Sequence, residues 1–334
     1  MTDTPTKVGI LYWGQRGGGN LLTDQLVQAA SNQKYQLSVF LRPKDATNNS
    51  KRIRAYQCLR WLSARKSVLK ESKAAELEVI ILPMASPWDL FLGRAFRKNG
   101  IRVVRMIHDA SPHPGERFPP RFWIKLLCQD SNQIVAFSDY VVSKLVENGY
   151  APLSKIKVGK LPSLNIEMNS LPSSEVPRKS FLFIGRGKKY KGLKQLLEAW
   201  PSVGDADSIL TIAGEGHQVT PNLPRVRHID RWLEDSEVVK IIEANDVVVL
   251  PYLEASQSGI IPISLALNRV LVVTPVGGLI EYVKNGENAV VAKGLRGQDI
   301  SAAMNEAINL NPQQASLQNH SNTAQHLFEK CLEK

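Results

Sequence analysis

Short apolar runs rich in β-branched residues recur along the chain, at Val8–Trp13, Leu37–Leu41, Val79–Leu82, Val103–Ile107 and Ile134–Phe137. They return at Phe181–Ile184, Ile209–Ala213, Val247–Leu250 and Val270–Thr274. Runs of this length and composition predict buried strands. Between them, apolar residues at helical spacing mark Leu21–Ser31, Ser138–Gly149, Leu193–Trp200 and Ser236–Ala244. The alternation of strand and helix implies parallel sheets covered by helices on both faces. It is broken once, where Pro162, Pro172 and Pro177 stand among Ser and Asn. The reading is therefore α/β with two Rossmann-like domains, over 1–165 and 179–315, joined by a linker at 166–178. Residues 316–334 are expected to form a C-terminal helix, with the N-terminal domain as a candidate partner. In open parallel sheets ligands bind beyond the carboxyl ends of the strands. Chemistry is thus expected in loops that follow strands, and two such domains would face each other across a cleft.

Length and composition agree with this. A chain of 334 residues can bury two cores, and 43% hydrophobic with 22% charged residues belongs to a folded chain rather than a disordered one. Cys58, Cys128 and Cys331 are far apart and odd in number, which suggests neither a disulfide framework nor a zinc site and fits a reducing cytosol. Met1–Pro5 lacks the basic and apolar parts of a signal peptide. The apolar stretches are interrupted well before they could span a bilayer. A cytoplasmic protein is expected.

Charge adds something that periodicity does not. Residues 1–172 hold 25 Lys+Arg against 13 Asp+Glu, whereas 173–334 hold 17 against 18, so the first half carries all of the net +11. Such segregation points to a polyanionic partner, nucleic acid or an anionic membrane surface. No nucleic-acid reading motif accompanies it, so the membrane is the expected partner. Residues 51–73 carry Lys51, Arg52, Arg54, Arg60, Arg65, Lys66, Lys70 and Lys73 against Glu71 alone, spread around any helix they form. Further on, Arg121–Leu127 sets Arg121 and Lys125 on one side of a helix and Phe122, Trp123, Leu126 and Leu127 on the other. That side could lie in a membrane interface or pack into the first domain's core.

Several loops could carry chemistry. Gly14–Asn20 includes Gly17, Gly18 and Gly19 between the first strand and a helix, where backbone can approach an anion, or where glycine serves a turn alone. It does not match the dinucleotide-binding glycine pattern. The loop His108-Asp109-Ala110-Ser111-Pro112-His113-Pro114-Gly115-Glu116 sets two imidazoles and two carboxylates at a strand's carboxyl end. They could orient a sugar hydroxyl or stabilise developing charge, with a metal site as the competing reading. In the second half, Phe181–Gly192 runs a strand into a glycine turn at Gly185 bearing Arg186, Lys188, Lys189 and Lys191, fixed positive charge suited to a diphosphate. Then come Gly214-Glu215-Gly216, Asp246–Tyr252, Gln257-Ser258-Gly259 and Gly277–Glu281. His228 and the tryptophans Trp61, Trp88, Trp123, Trp200 and Trp232 read as structural, and Glu281 as a residue fixing its own turn.

In this order the motifs resemble those of the large retaining glycosyltransferase family 4, which has the GT-B fold. The resemblance is carried mainly by about residues 180–295. The family's G-R-x-x-x-x-K-G pattern implies that Arg186 and Lys191 hold the donor diphosphate. Its histidine after a first-domain strand implies that His108 approaches the donor sugar, and its first-domain glycine loop corresponds to Gly17–Gly19. Two glutamates eight positions apart are usual in the family, yet Gln257 and Leu265 stand in their places. Ser258 and Gly259 could still serve the phosphates, and Glu254 could supply a carboxylate. The resemblance implies transfer of a sugar, with retention, from a UDP- or GDP-linked nucleotide diphosphate sugar to a lipid-linked or saccharide acceptor. Bacterial surface-polysaccharide or lipid-linked oligosaccharide assembly at the inner face of the membrane is the implied setting. No cofactor or metal is expected; Asp109 and His113 fall on the acceptor side, and Gly185 and Gly214 on the donor side. The loss of both glutamates leaves open a non-catalytic nucleotide-sugar-binding or scaffold subunit.

Overall fold

A computed structural model describes residues 5–13, 18–31, 34–41, 64–86, 91–116, 119–162, 179–219, 223–310 and 324–333. The chain divides into two compact units. Unit 1 comprises 1–111, 118–160 and 324–334; unit 2 comprises 112–117 and 161–323.

Unit 1 is a parallel sheet between helices. Its strands are β1 (Thr6–Tyr12), β2 (Tyr35–Leu41), β3 (Val79–Leu82), β4 (Arg102–Ile107), β5 (Gln133–Ala136) and β6 (Ile156–Val158), in the order β2-β1-β3-β4-β5-β6. The helices are α1 (Gly18–Ala30), α2 (64–74), α3 (Leu92–Lys98), α4 (Arg121–Gln129), α5 (Asp139–Glu147) and, from the end of the chain, α10 (Ala324–Leu332). Leu11, Ile80, Leu82 and Val103 pack with Leu92 and Phe96, while Ile107, Ile134 and Ala136 pack with Ile124, Val141 and Leu145.

Unit 2 repeats the architecture with β7 (Ser180–Ile184), β8 (Ile209–Ala213), β9 (Val226–Ile229), β10 (Val247–Leu250), β11 (Val270–Val273) and β12 (Ala289–Val291), in the order β12-β11-β10-β7-β8-β9. Its helices are α6 (Leu193–Ala199), α7 (Asp235–Glu243), α8 (Ile260–Ala266) and α9 (Gly297–Ala307). Register explains the core. Val270, Val247, Phe181 and Leu210 are partnered in turn across four strands, so alternate residues of each present one apolar face, joined by Trp200, Ile300 and Met304.

Three strands went unseen in the hydrophobic pattern: β6, β9 and β12. Each lies at the edge of its sheet and each has residues left partly open, β9 being half-buried or exposed throughout. A strand with one neighbour and a thin cover needs no continuous apolar run.

The C-terminal helix α10 belongs to unit 1. Phe328 meets Tyr35 edge-on at 5.0 Å, and the C-terminal carbonyls of α10 are held by Arg102, which donates to Leu332 O at 3.1 Å, and by Gln133, which donates to Lys330 O at 3.1 Å. Cys331 on this helix and Cys128 on α4 are buried, and burial pushes both thiols up to about 12, so they are packing residues. Cys58 lies outside the described residues.

Helix α4 resolves the choice left open by its sequence. Ile124, Leu127 and Cys128 are buried, Trp123 and Leu126 are half-buried, and Phe122 stands 63% exposed beside the exposed Arg121 and Lys125. The apolar side packs into unit 1, with one phenylalanine left outside. In α2, Lys66, Lys70 and Lys73 share an exposed face, whereas Arg65 is half-buried near the Asp130 carboxylate, and burial lowers its pKa. The described part of the basic segment is thus sided rather than spread. Residues 51–63, with Lys51, Arg52, Arg54 and Arg60, lie outside the described residues, as do Trp61 and Trp88.

Candidate functional site

The carboxyl end of β7 delivers the basic turn. Gly185 takes φ +136°, a conformation that favours glycine, and its N–H donates to Ala213 O at 2.9 Å. Two bonds from the neighbouring turn secure it. His217 Nε2 donates to Gly185 O at 2.6 Å, and Gly187 N–H donates to Glu215 O at 2.8 Å. The turns touch backbone to backbone: a Cβ on Gly214 would stand 2.0 Å from Gly185 O. Gly214, after β8, is required for that approach.

Arg186, at the tip, is exposed; its carbonyl accepts from Lys188 N–H at 2.8 Å, and its side chain makes no hydrogen bond or ion pair among the described residues. Lys191, five residues on, is half-buried. Its Nζ donates to the hydroxyl of the buried Tyr252 at 3.0 Å and lies 4.8 Å from that ring's centre. The Tyr252 hydroxyl is in turn 3.5 Å from Ser258 Oγ. Thr274 Oγ1 donates to Tyr252 O at 2.5 Å, fixing the backbone after β10. A chain Lys191–Tyr252–Ser258 therefore sets an ammonium and a hydroxyl side by side at the sheet's carboxyl edge. Gly259 is exposed, with open space where a Cβ would stand. Gln257 is half-buried one residue before Ser258. Leu265 is buried on the inner side of α8, which accounts for leucine where the resemblance would place a glutamate.

Residues 112–116 join this unit. The His113 ring stacks on Tyr190 at 4.3 Å, with 15° between planes, and its Nδ1 lies 3.9 Å from Glu254 Oε1. Glu116 pairs with Lys188 at 3.0 Å. One of the four cations of the turn is thereby engaged by a carboxylate. His113, which the sequence reading put on the acceptor side with Asp109, stands with Tyr190 and Glu254.

In unit 1, His108 follows β4. Its ring lies 4.4 Å from Phe137, and Nε2 is 3.1 Å from Pro83 O; since a carbonyl only accepts, Nε2 carries the proton. Burial lowers its pKa below that of an ordinary imidazole, against the opposing Asp109 charge and the Pro83 bond. Asp109 is half-buried beside it. Gly18 and Gly19 open α1. A Cβ on Gly19 would lie 2.3 Å from Tyr12 Oη and 3.0 Å from Met84 Sδ, so this glycine allows close packing, while Gly18 faces open space. Gly17 lies outside the described residues. Among the described residues no group of three or more His, Cys, Asp or Glu is gathered as metal ligands would be. His217 was not singled out from the sequence, and neither were the pairings of Tyr252 with Lys191, Tyr190 with His113 and Glu116 with Lys188, which no spacing marks.

Residues 178–309 match the family described as Glycosyl transferases group 1. Solved structures with the same fold include the Anabaena protein HepE in complex with UDP and glucose, at TM-score 0.68 and 15% identity, covering 98% of this chain and 96% of that one. Sucrose-phosphate synthase from Thermosynechococcus elongatus aligns at TM-score 0.70 and 13% identity, covering 98% and 94%. The lipopolysaccharide outer core galactosyltransferase WaaB aligns at 0.67 and 14%, covering 97% and 98%. No curated protein matches the chain. The matched segment and the two parallel sheets together support a glycosyltransferase with the GT-B fold. No helix among the described residues is long and apolar enough to cross a membrane.

Proposed function

We propose that the protein is a family 4 glycosyltransferase that moves a hexosyl group, with retention, from a UDP- or GDP-linked sugar to a lipid-linked or saccharide acceptor. The observation that carries this reading is the glycine turn at the end of β7: an Arg186 side chain with no partner among the described residues and a Lys191 held by Tyr252, in the segment that matches the family. As the glycosidic bond breaks, negative charge grows on the departing diphosphate. Arg186, Lys191 and backbone N–H groups of the turn would meet it with fixed positive charge, which needs no rearrangement at the moment of reaction. The leaving phosphate oxygen would take the acceptor's proton on the same face. On this reading neither the paired carboxylates of a glycoside hydrolase nor a metal has an assigned step. Ser258, Gly259, Gly214 and Gly185 would line the donor side with Gln257 and Glu254, and His108, Asp109, Gly18 and Gly19 would act from unit 1. HepE, bound to UDP-glucose, supports a nucleotide-sugar donor, and the galactosyltransferase WaaB supports sugar transfer.

The test is a thermal-shift panel of UDP, GDP, ADP and dTDP followed by turnover assays with the corresponding sugars. A nucleotide at ~100 times its dissociation constant stabilises by about 2.7 kcal/mol, so one member should stand out. No shift with any of them removes the donor reading. Leucine at 265, buried in α8, favours a second reading, a nucleotide-sugar-binding scaffold subunit. Tight nucleotide binding without turnover on any acceptor would support it.

The setting proposed is the cytoplasmic face of a membrane where surface polysaccharide or lipid-linked oligosaccharide is assembled. Lys66, Lys70 and Lys73 on one face of α2, with Phe122, Arg121 and Lys125 on α4, give unit 1 cationic surface and one exposed aromatic ring. Each cation near anionic lipid contributes about 1 kcal/mol. Flotation should show binding to anionic but not neutral vesicles, weakened by salt and by Lys66→Glu, Lys70→Glu and Lys73→Glu together. Absence of binding to anionic vesicles would favour a soluble acceptor.

A further inference from the structure

We infer that His217 is the positioning residue of the diphosphate turn: by holding the Gly185 carbonyl, it turns the Arg186 backbone N–H toward the donor's phosphates. This rests on the donor reading above and adds to it a residue and a backbone donor. The geometry is direct. A trans peptide points its C=O and the following N–H in opposite directions. His217 Nε2 donates to Gly185 O at 2.6 Å, so the Arg186 N–H of the same peptide is directed away from His217. No acceptor is bonded to that N–H among the described residues, although the N–H groups of Gly185, Gly187 and Lys188 on either side all have partners. An N–H left open at a strand end, beside the exposed Arg186 side chain, is suited to an anion.

The clamp is needed because the turn is made of glycine. Gly185, at φ +136° and with no Cβ, leaves the peptide that follows it freer to turn over than any other residue would. Flipped, it would present a carbonyl dipole to the phosphates. Gly214 leaves room for the observed orientation, since any Cβ there would collide with Gly185 O. His217 makes that orientation favourable, and its own placement is rigid. The ring is 6% exposed and sits between Phe183, at 5.4 Å, and His228, at 6.2 Å. Nδ1 is buried and has no hydrogen-bond partner among the described residues, while Nε2 is bonded to the Gly185 carbonyl, with the Ala213 carbonyl also nearby. Burial also lowers the His217 pKa, which keeps one proton on the ring, at the nitrogen facing the carbonyl.

The experiment is calorimetric titration with whichever of UDP, GDP, ADP and dTDP binds the wild type, on His217→Phe, His217→Gln and Arg186→Ala. Phenylalanine keeps the ring without the donor, and glutamine keeps an N–H at similar reach. His217→Phe should weaken diphosphate binding about tenfold, the scale of one lost hydrogen bond, and His217→Gln should restore it to within about twofold. Equal affinity in the wild type and His217→Phe, with Arg186→Ala impaired, overturns the inference and leaves the donor reading standing. Equal losses in His217→Phe and His217→Gln also overturn it, by showing a packing role. A wild type that binds none of the four overturns both. Should the variants fail to fold, the wild type decides alone: the Arg186 backbone amide proton resonance should move downfield on saturation with the nucleoside diphosphate. An unmoved resonance in the bound protein overturns the inference.

Discussion

Arg186→Ala and Lys191→Ala are each expected to lower turnover by on the order of a hundredfold or more, the scale seen when one charge-stabilising donor is lost from a reaction centre. The two differ in what else they disturb, and that makes the pair informative. The Arg186 side chain is exposed and bonds nothing among the described residues, so its removal should leave folding stability within about 0.5 kcal/mol of wild type. Any loss of rate then belongs to the reaction. Lys191 is half-buried and holds Tyr252, so its removal also frees the Tyr252 hydroxyl and should cost some stability. A matched loss of rate in both, with stability lost only in Lys191→Ala, is the expected pattern. Near-normal rates in both would remove the diphosphate assignment. The same assay reads the anomeric configuration of the product, and inversion is incompatible with the proposed retention.

For His108→Ala a loss of turnover of about a hundredfold or more is expected, with a much smaller loss of nucleotide affinity, since a positioned acid–base group acts on the reacting bond rather than on the base or phosphates. Its environment sets a pH signature. Because burial depresses the folded-state pKa below 6.5, the unfolded chain binds the proton more readily than the folded one. Stability contributed by neutral His108 is therefore full above about pH 6.5 and declines as pH falls toward the folded-state value. His217 is depressed for the same reason and adds in the same direction. Melting temperature should fall on acidification through this window, and less steeply in His108→Gln. A His108→Ala variant with equal losses of rate and of affinity for free nucleoside diphosphate would point to a structural role, and a wild type with a flat stability profile would remove the burial argument.

Eight of the nine strands seen in the sequence, all but the edge strand β2, were legible because burial on both faces demands a nearly unbroken apolar run, and Val247–Leu250 or Phe181–Ile184 can hardly be anything else. The basic turn was legible for a different reason. Four cations between glycines have no use in a core, so Gly185–Gly192 stands out as chemistry. β6, β9 and β12 were not legible, since an edge strand is specified by its neighbour's open N–H and C=O groups more than by its own side chains.

What the sequence by itself determined is the alternation of strand and helix, its single interruption, and the placing of Arg186 and Lys191 after a buried strand. All of these follow from local spacing and from the cost of burying charge. Only the tertiary structure decided which partners those residues meet. Tyr252 reaches Lys191 across 61 positions of chain, His217 reaches Gly185 across 32, and His113 lies against Tyr190 and Glu254. Such pairs depend on strand order and register: β10 and β8 flank β7 in the sheet, and only that adjacency brings the loops after them to one edge. Neither order nor register is written in the local periodicity of any one segment, because β7, β8 and β10 are apolar in the same way.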